Sequence, residues 1–147
     1  MKNINLGYIQ ISDYISKSRL FGDWMYEDEE YSKEISECRP EEEILPKNTE
    51  FTLKIDYPLS IPFVKKFNTK DNLITRRQLV NFIVRCYKQI YKEENYTSTI
   101  KEGYIEGMFN RVETNGKYGI KYHVIGDLIL HAAHIDKNNI ITLGVDS

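Results

Sequence analysis

The sequence predicts an α+β fold, an antiparallel sheet of about four strands with one long amphipathic helix packed on one face. Three observations predict it. Phe51, Leu53, Ile55 and Tyr57 alternate with Thr52, Lys54 and Asp56, the period of a half-buried strand. Leu79, Phe82, Ile83, Cys86 and Ile90 recur at helical spacing, and Val80, Val84, Tyr87 and Tyr91 widen the stripe enough to cover a sheet. Asp136-Lys137-Asn138-Asn139 separates two apolar runs, 127–135 and 140–145, as a turn separates the strands of a hairpin.

The other elements follow in order. Ile4 to Ile11 reads as a short strand, and Ser12-Asp13 offers a cap for a short helix over Tyr14 to Leu20. Residues 23–48 read as an acidic flexible segment, broken by Pro40 and Pro46, with a helical turn or two around Tyr31 to Cys38. Pro58 and Pro62 bracket Leu59-Ser60-Ile61 and confine it to an edge or a turn; Phe63, Val64 and Phe67 form a shorter strand. Thr75 with Gln78 three residues on has the form of a capping box, so the long helix starts there and runs to about Glu94. Ile100, Tyr104, Ile105, Met108 and Phe109 suggest a short second helix, and Gly126 a bulge or break before the final hairpin. The organisation expected is a strand and short helix in residues 1–22, the acidic segment in 23–48 and a compact core in 49–147, within a single domain.

Composition limits the function classes. A chain of 147 residues with eleven Tyr and six Phe can bury a core without covalent staples. Cys38 and Cys86 sit in unrelated contexts, which points to two reduced thiols and a cytoplasmic location. No window approaches the run of about 20 apolar residues that spans a bilayer, so no membrane association is expected. Between Asp23 and Ile44 ten acids face two bases, a local charge of −8 against −2 for the whole chain, so the rest carries +6. That block is either a docking element for a partner protein or a solvated connection. Lys65-Lys66, Lys70, Arg76-Arg77, Arg85, Lys88 and Lys92 gather around the long helix, but intervening Glu93 and Glu94 and an isoelectric point near 5.9 favour an ordinary solvated face over nucleic acid. No glycine-rich phosphate loop or nucleophile elbow is present, and no cofactor is expected.

Tyr118-Gly119-Ile120, His123, Ile125-Gly126-Asp127-Leu128, Asp136 and Leu143-Gly144-Val145-Asp146-Ser147 resemble a pattern in uncharacterised proteins of large DNA viruses and some cellular genomes. Thr75, Leu79-Val80, Tyr87 and Ile90-Tyr91 are similar too, so the resemblance covers roughly the second half of the chain. Lys121-Tyr122 stands where that pattern has Trp-Gly. The resemblance implies a viral setting, with the host cell or virion as location, and implies no activity.

All three histidines lie between His123 and His134, close to Asp127 and Asp136. A metal site within one strand fails on geometry. His131 and His134, three apart, point to opposite faces of a regular strand, and Asp127 and His131 lie ~13 Å apart along it at ~3.3 Å per residue. Register decides whether His131 meets an acid. With Lys137-Asn138 as a two-residue loop His131 faces Gly144 and Ile129 faces Asp146, whereas with Asn138-Asn139 His131 faces Asp146. The candidate catalytic residues are therefore His123 with Asp127, and His131 with Asp146. Cys86, on the apolar stripe, is expected to be buried, protonated and inert. The expected function is a non-catalytic interaction or structural component that engages another protein through the acidic segment or a sheet edge. The alternative is a small hydrolase-like enzyme using either His123 with Asp127 or a His131/Asp146 pair.

Overall fold

The computed structural model describes residues 2–14, 38–100, 103–104 and 111–147. Its strands are β1 (Lys2–Gln10), β2 (Glu43–Leu45), β3 (Glu50–Ile55), β4 (Phe63–Asn68), β5 (Ile74–Thr75), β6 (Gly103–Tyr104), β7 (Arg111–Val112), β8 (Ile129–Ile135) and β9 (Ile140–Asp146); the long helix α1 spans Arg76–Thr97. The α+β class is as expected. The main sheet differs, having five strands in the order β1-β8-β9-β3-β4, and it is mixed rather than antiparallel because β3 and β9 run parallel. Parallel neighbours need a long crossover, which α1 and the loops after it supply. Two small ladders, β2 with β5 and β6 with β7, complete the described strands.

One face of the sheet forms the core. Phe51, Leu53 and Ile55 of β3 are buried as their alternation requires, together with Ile4, Leu6 and Ile9 of β1, Leu130, Ala133 and Ile135 of β8, and Ile141 of β9. Against them α1 buries Leu79, Val80, Ile83, Val84, Cys86, Tyr87, Ile90 and Tyr91 in the same cluster. Both bonds of the capping box at Thr75 are made, at 2.9 and 3.2 Å, so the helix begins where the sequence places it. Its end comes three residues later than expected, at Thr97. Cys38 and Cys86 are buried and not bridged to one another, and burial pushes the Cys86 thiol up. Among the described residues no helix is long and apolar enough to cross a membrane.

Other elements depart from expectation for local reasons. Ser12 and Asp13 lie inside a 3-10 turn, Ile11–Asp13, instead of capping a helix, and Tyr14 after them is extended; residues 15–20 lie outside the described residues. Of the acidic segment, residues 23–37 lie outside them too, while its end is built into the fold. There Cys38, Ile44 and Leu45 are buried, Glu42 pairs with Arg76 at 2.8 Å and Glu41 with Arg77 at 2.9 Å. Arg76, 6 % exposed, also donates to the carbonyls of Asn5 and Arg39, so it is not part of a basic surface. At Gly103–Tyr104 the short second helix is replaced by a strand paired with β7; residues 105–110 lie outside the described residues.

Candidate functional site

The last turn before β8 creates the site. Residues Ile125–Asp127 form a 3-10 turn, and the Asp127 carboxylate folds back to accept from the Val124 amide at 3.2 Å. That leaves the same oxygen, Oδ2, 3.3 Å from Nδ1 of His123. On the other side of the ring Nε2 lies 3.1 Å from the Ser147 hydroxyl, just past the end of β9. The Tyr57 hydroxyl makes a short contact with the same Ser147 oxygen, and its ring centroid is 6.0 Å from that of His123. With the imidazole neutral, these contacts fix one proton order. A carboxylate only accepts, so Nδ1 carries the ring proton; Nε2 is then an acceptor, Ser147 donates to it, and Tyr57 donates to Ser147. His123 and Asp127 have side chains 30 % and 28 % exposed, so solvent and solutes reach them.

Three buried side chains of α1 hold the backbone around this group. The Tyr87 hydroxyl donates to the Tyr57 carbonyl at 2.8 Å, and the Tyr91 hydroxyl to the His123 carbonyl at 3.0 Å. Glu94 is completely buried, and its carboxylate accepts from the Thr114 hydroxyl and from the amides of Gly116, Tyr118 and Gly119, at 2.5 to 3.2 Å. Burial pushes this carboxyl up, but the four donors outweigh it and hold it below the usual range. Gly116 is required here, since a Cβ would lie 2.7 Å from the Glu94 carboxylate carbon. The neighbouring Glu93 accepts from the Tyr118 hydroxyl, from Gln89 and from Lys117, which bring it down to about 2. The 114–121 loop then carries the 57–61 segment. Ser60 and Ile61 donate to the Tyr118 carbonyl, and Lys121 donates to the Pro58 carbonyl at 2.8 Å.

His131 and Asp146 form a second, separate pair, 3.4 Å apart. Neither two-residue loop occurs. The Asn139 amide closes on the Asp136 carbonyl with Asn139 at φ 59°, the Asp136 amide donates to the Ile140 carbonyl and the Ile140 amide to the Asp136 carboxylate, which makes a three-residue loop of Lys137, Asn138 and Asn139. A bulge between Leu130 and Ala132 then absorbs His131, so Ile129 faces Asp146 while His131 reaches it diagonally. The bulge also overturns the expectation that His131 and His134 point to opposite faces. Leu130 and Ala133 are the buried residues, and His131 and His134 both stay out of the core. His134 instead meets Asn3 of β1 at 2.8 Å.

The structure thus joins His123 with Asp127 and His131 with Asp146, as two pairs. Ser147 and Tyr57 were not among the candidates. Ser147 closes the Leu143–Ser147 run of the resemblance, which implies no activity, and no glycine-flanked setting marks it as a nucleophile; Tyr57 reads only as the end of a strand. Glu94 was equally silent, because a Glu near the end of an amphipathic helix ordinarily faces water. Among the described residues no three His, Cys, Asp or Glu side chains gather as metal ligands. Compared with protein-family models, with curated proteins and with solved structures, the chain matches none.

Proposed function

We propose that the chain is a small hydrolase-like enzyme in which Ser147 is the attacking hydroxyl, His123 the proton-transfer group and Asp127 the group that orients it. The observation that carries this reading is the unbroken run from Asp127 Oδ2 through both ring nitrogens of His123 to Ser147 Oγ, at 3.3 and 3.1 Å. A serine hydroxyl is a weak nucleophile until a base takes its proton during attack. His123 Nε2 takes that proton as Oγ bonds to an acyl carbon, and Asp127 stabilises the imidazolium that forms. The imidazolium then protonates the leaving group, and water repeats the sequence to release the acid. The Tyr57 hydroxyl, freed from Ser147 as the new bond forms, is a neutral donor beside the developing oxyanion. An activated aryl ester tests the reading. Wild-type protein should hydrolyse it above the buffer rate, with Ser147→Ala and His123→Ala each lowering the enzymatic rate by about 100-fold or more. Equal rates for wild type and both variants would refute it.

A second reading, a docking protein, has its own support. β4 ends the sheet order, and on it Val64 is 57 % exposed beside exposed Lys65 and Lys66. The lysines discourage pairing with another copy of the same strand and favour an extended acidic segment of a partner. The acidic segment of this chain remains a candidate docking element through residues 23–37. A pulldown that compares the full chain with one lacking 23–37 is the appropriate test, because deletion into 38–44 removes Cys38, Ile44 and the Glu42–Arg76 pair from the fold. A partner kept by the full chain and lost with the deletion supports docking; an unchanged set of partners argues against that segment.

A further inference from the structure

Tyr87, Tyr91 and Glu94 stand at i, i+4 and i+7 on α1, so they share one stripe of the helix, and they are 1 %, 4 % and 0 % exposed. A stripe facing a core needs no polar atoms, and phenylalanine would bury nearly the same area as either tyrosine. A buried hydroxyl must find a partner, and here each partner lies in the site. Tyr87 takes the carbonyl of Tyr57 and Tyr91 the carbonyl of His123, the two residues whose side chains converge on Ser147. Glu94 fixes the intervening 114–119 loop, which is bonded in turn to Ser60, Ile61 and, through Lys121, to Pro58.

We infer that Tyr87 and Tyr91 are positioning residues, whose hydroxyls use the rigid helix as the frame that sets Tyr57 and His123 against Ser147. The inference rests on the reading of His123 as the proton-transfer group, and it names the two side chains outside the reacting group on which that group's geometry depends. Without a hydroxyl at 91 the His123 carbonyl loses its anchor, and a small displacement of the ring lengthens both contacts at once. Rates depend steeply on such displacements.

The test uses the full chain labelled with 15N-histidine, as wild type, Tyr91→Phe and Tyr87→Phe, with thermal melting alongside to establish folding. Long-range proton–nitrogen spectra read the ring nitrogens of all three histidines, and His131 and His134, on the sheet, serve as internal references. In Tyr91→Phe the His123 ring signals should move away from their wild-type positions while those of His131 and His134 stay. Tyr87→Phe should move them less and slow ester hydrolysis by about tenfold, since it displaces Tyr57 and leaves the His123 carbonyl bonded. Folded variants that melt earlier yet keep wild-type His123 signals would overturn the inference and reduce both hydroxyls to stability. The spectra require no turnover. Moved His123 signals in a protein that hydrolyses nothing would count against the enzymatic reading alone, and unmoved signals in an active protein would count against the positioning alone.

Discussion

Nε2 of His123 lies 3.1 Å from the hydroxyl of Ser147, a contact that joins the loop before β8 to the end of β9 across 24 positions of sequence. Asp127 occupies the other ring nitrogen. Replacing Asp127 by Asn tests what that second contact does. Asparagine can offer its NH2 group to Nδ1, which favours the tautomer with the proton on Nε2 and turns the acceptor facing Ser147 into a donor. Ester hydrolysis should fall by about 100-fold or more in Asp127→Asn, with the melting temperature little changed. A rate within twofold of wild type would show that Asp127 has no part in orienting His123.

The buried carboxylate of Glu94 should dominate the stability of the 114–119 loop. Gln in its place has one oxygen where the carboxylate has two, and sets an NH2 group against the Tyr118 amide or against the three donors on the other oxygen. Glu94→Gln should cost about 2–4 kcal/mol in urea denaturation at pH 7. A cost below about 0.5 kcal/mol, within the range of ordinary surface changes, would contradict the hydrogen-bonding described.

Acid should weaken the fold through the same corner of the molecule. The carboxyls of Glu93 and Glu94 both titrate lower in the folded chain than the ordinary value of 4.5, Glu93 at about 2. The unfolded chain therefore takes up protons first, so the stability these groups contribute is fully present above about 4.5 and is lost as pH falls toward 2. Melting temperatures measured from pH 6 to pH 2 should decline through that window, and Glu93→Gln should flatten the decline. Parallel declines in the two proteins would argue against the Glu93 contacts.

Arg76 ties together three segments that are distant in sequence, β1, the 39–42 turn and the start of α1. Arg76→Met should cost about 2–4 kcal/mol, because the carbonyls of Asn5 and Arg39 lose a buried charged donor. Arg77→Ala, which removes the more exposed pair with Glu41, should cost less than about 1 kcal/mol. Comparable losses in the two variants would contradict the burial difference.

Gly144 lies beneath the His131 ring, where an added Cβ would come within 2.7 Å of Cε1. Gly144→Ala should displace the partly exposed ring from Asp146, cost less than about 1 kcal/mol and move the His131 ring signals while leaving those of His123 in place. Asp146→Asn should cost less than about 1 kcal/mol, since Asp146 is 71 % exposed. Unmoved His131 signals in Gly144→Ala would contradict the close approach.

What the sequence revealed follows from which contacts are local. The β3 alternation from Phe51 to Ile55, the capping box of Thr75 and Gln78 and the position of the turn after Asp136 depend on near neighbours and occur, although the strand stops short of Tyr57, which is 39 % exposed, and the turn is a residue longer than either loop expected. The pairing of β3 with β9 depends on two hairpins meeting across a crossover of more than eighty residues, which no local period encodes. His123 and Asp127 were legible as a pair because they are four residues apart. Ser147 and Tyr57 were not, because only the fold brings them to the ring. The His131–Asp146 contact was legible as a question of register. The answer came from a bulge and a three-residue loop, where single-residue offsets decide which side chains meet.

The most direct test of the central claim is to treat the folded protein with a fluorophosphonate, which bonds covalently to activated serine hydroxyls, and to map the modified residue by mass spectrometry. Modification at Ser147 that is lost in His123→Ala and reduced in Asp127→Asn is the predicted result. Ser147 left unmodified, or modified equally in the absence of His123, would contradict the assignment of Ser147 as a nucleophile activated by His123.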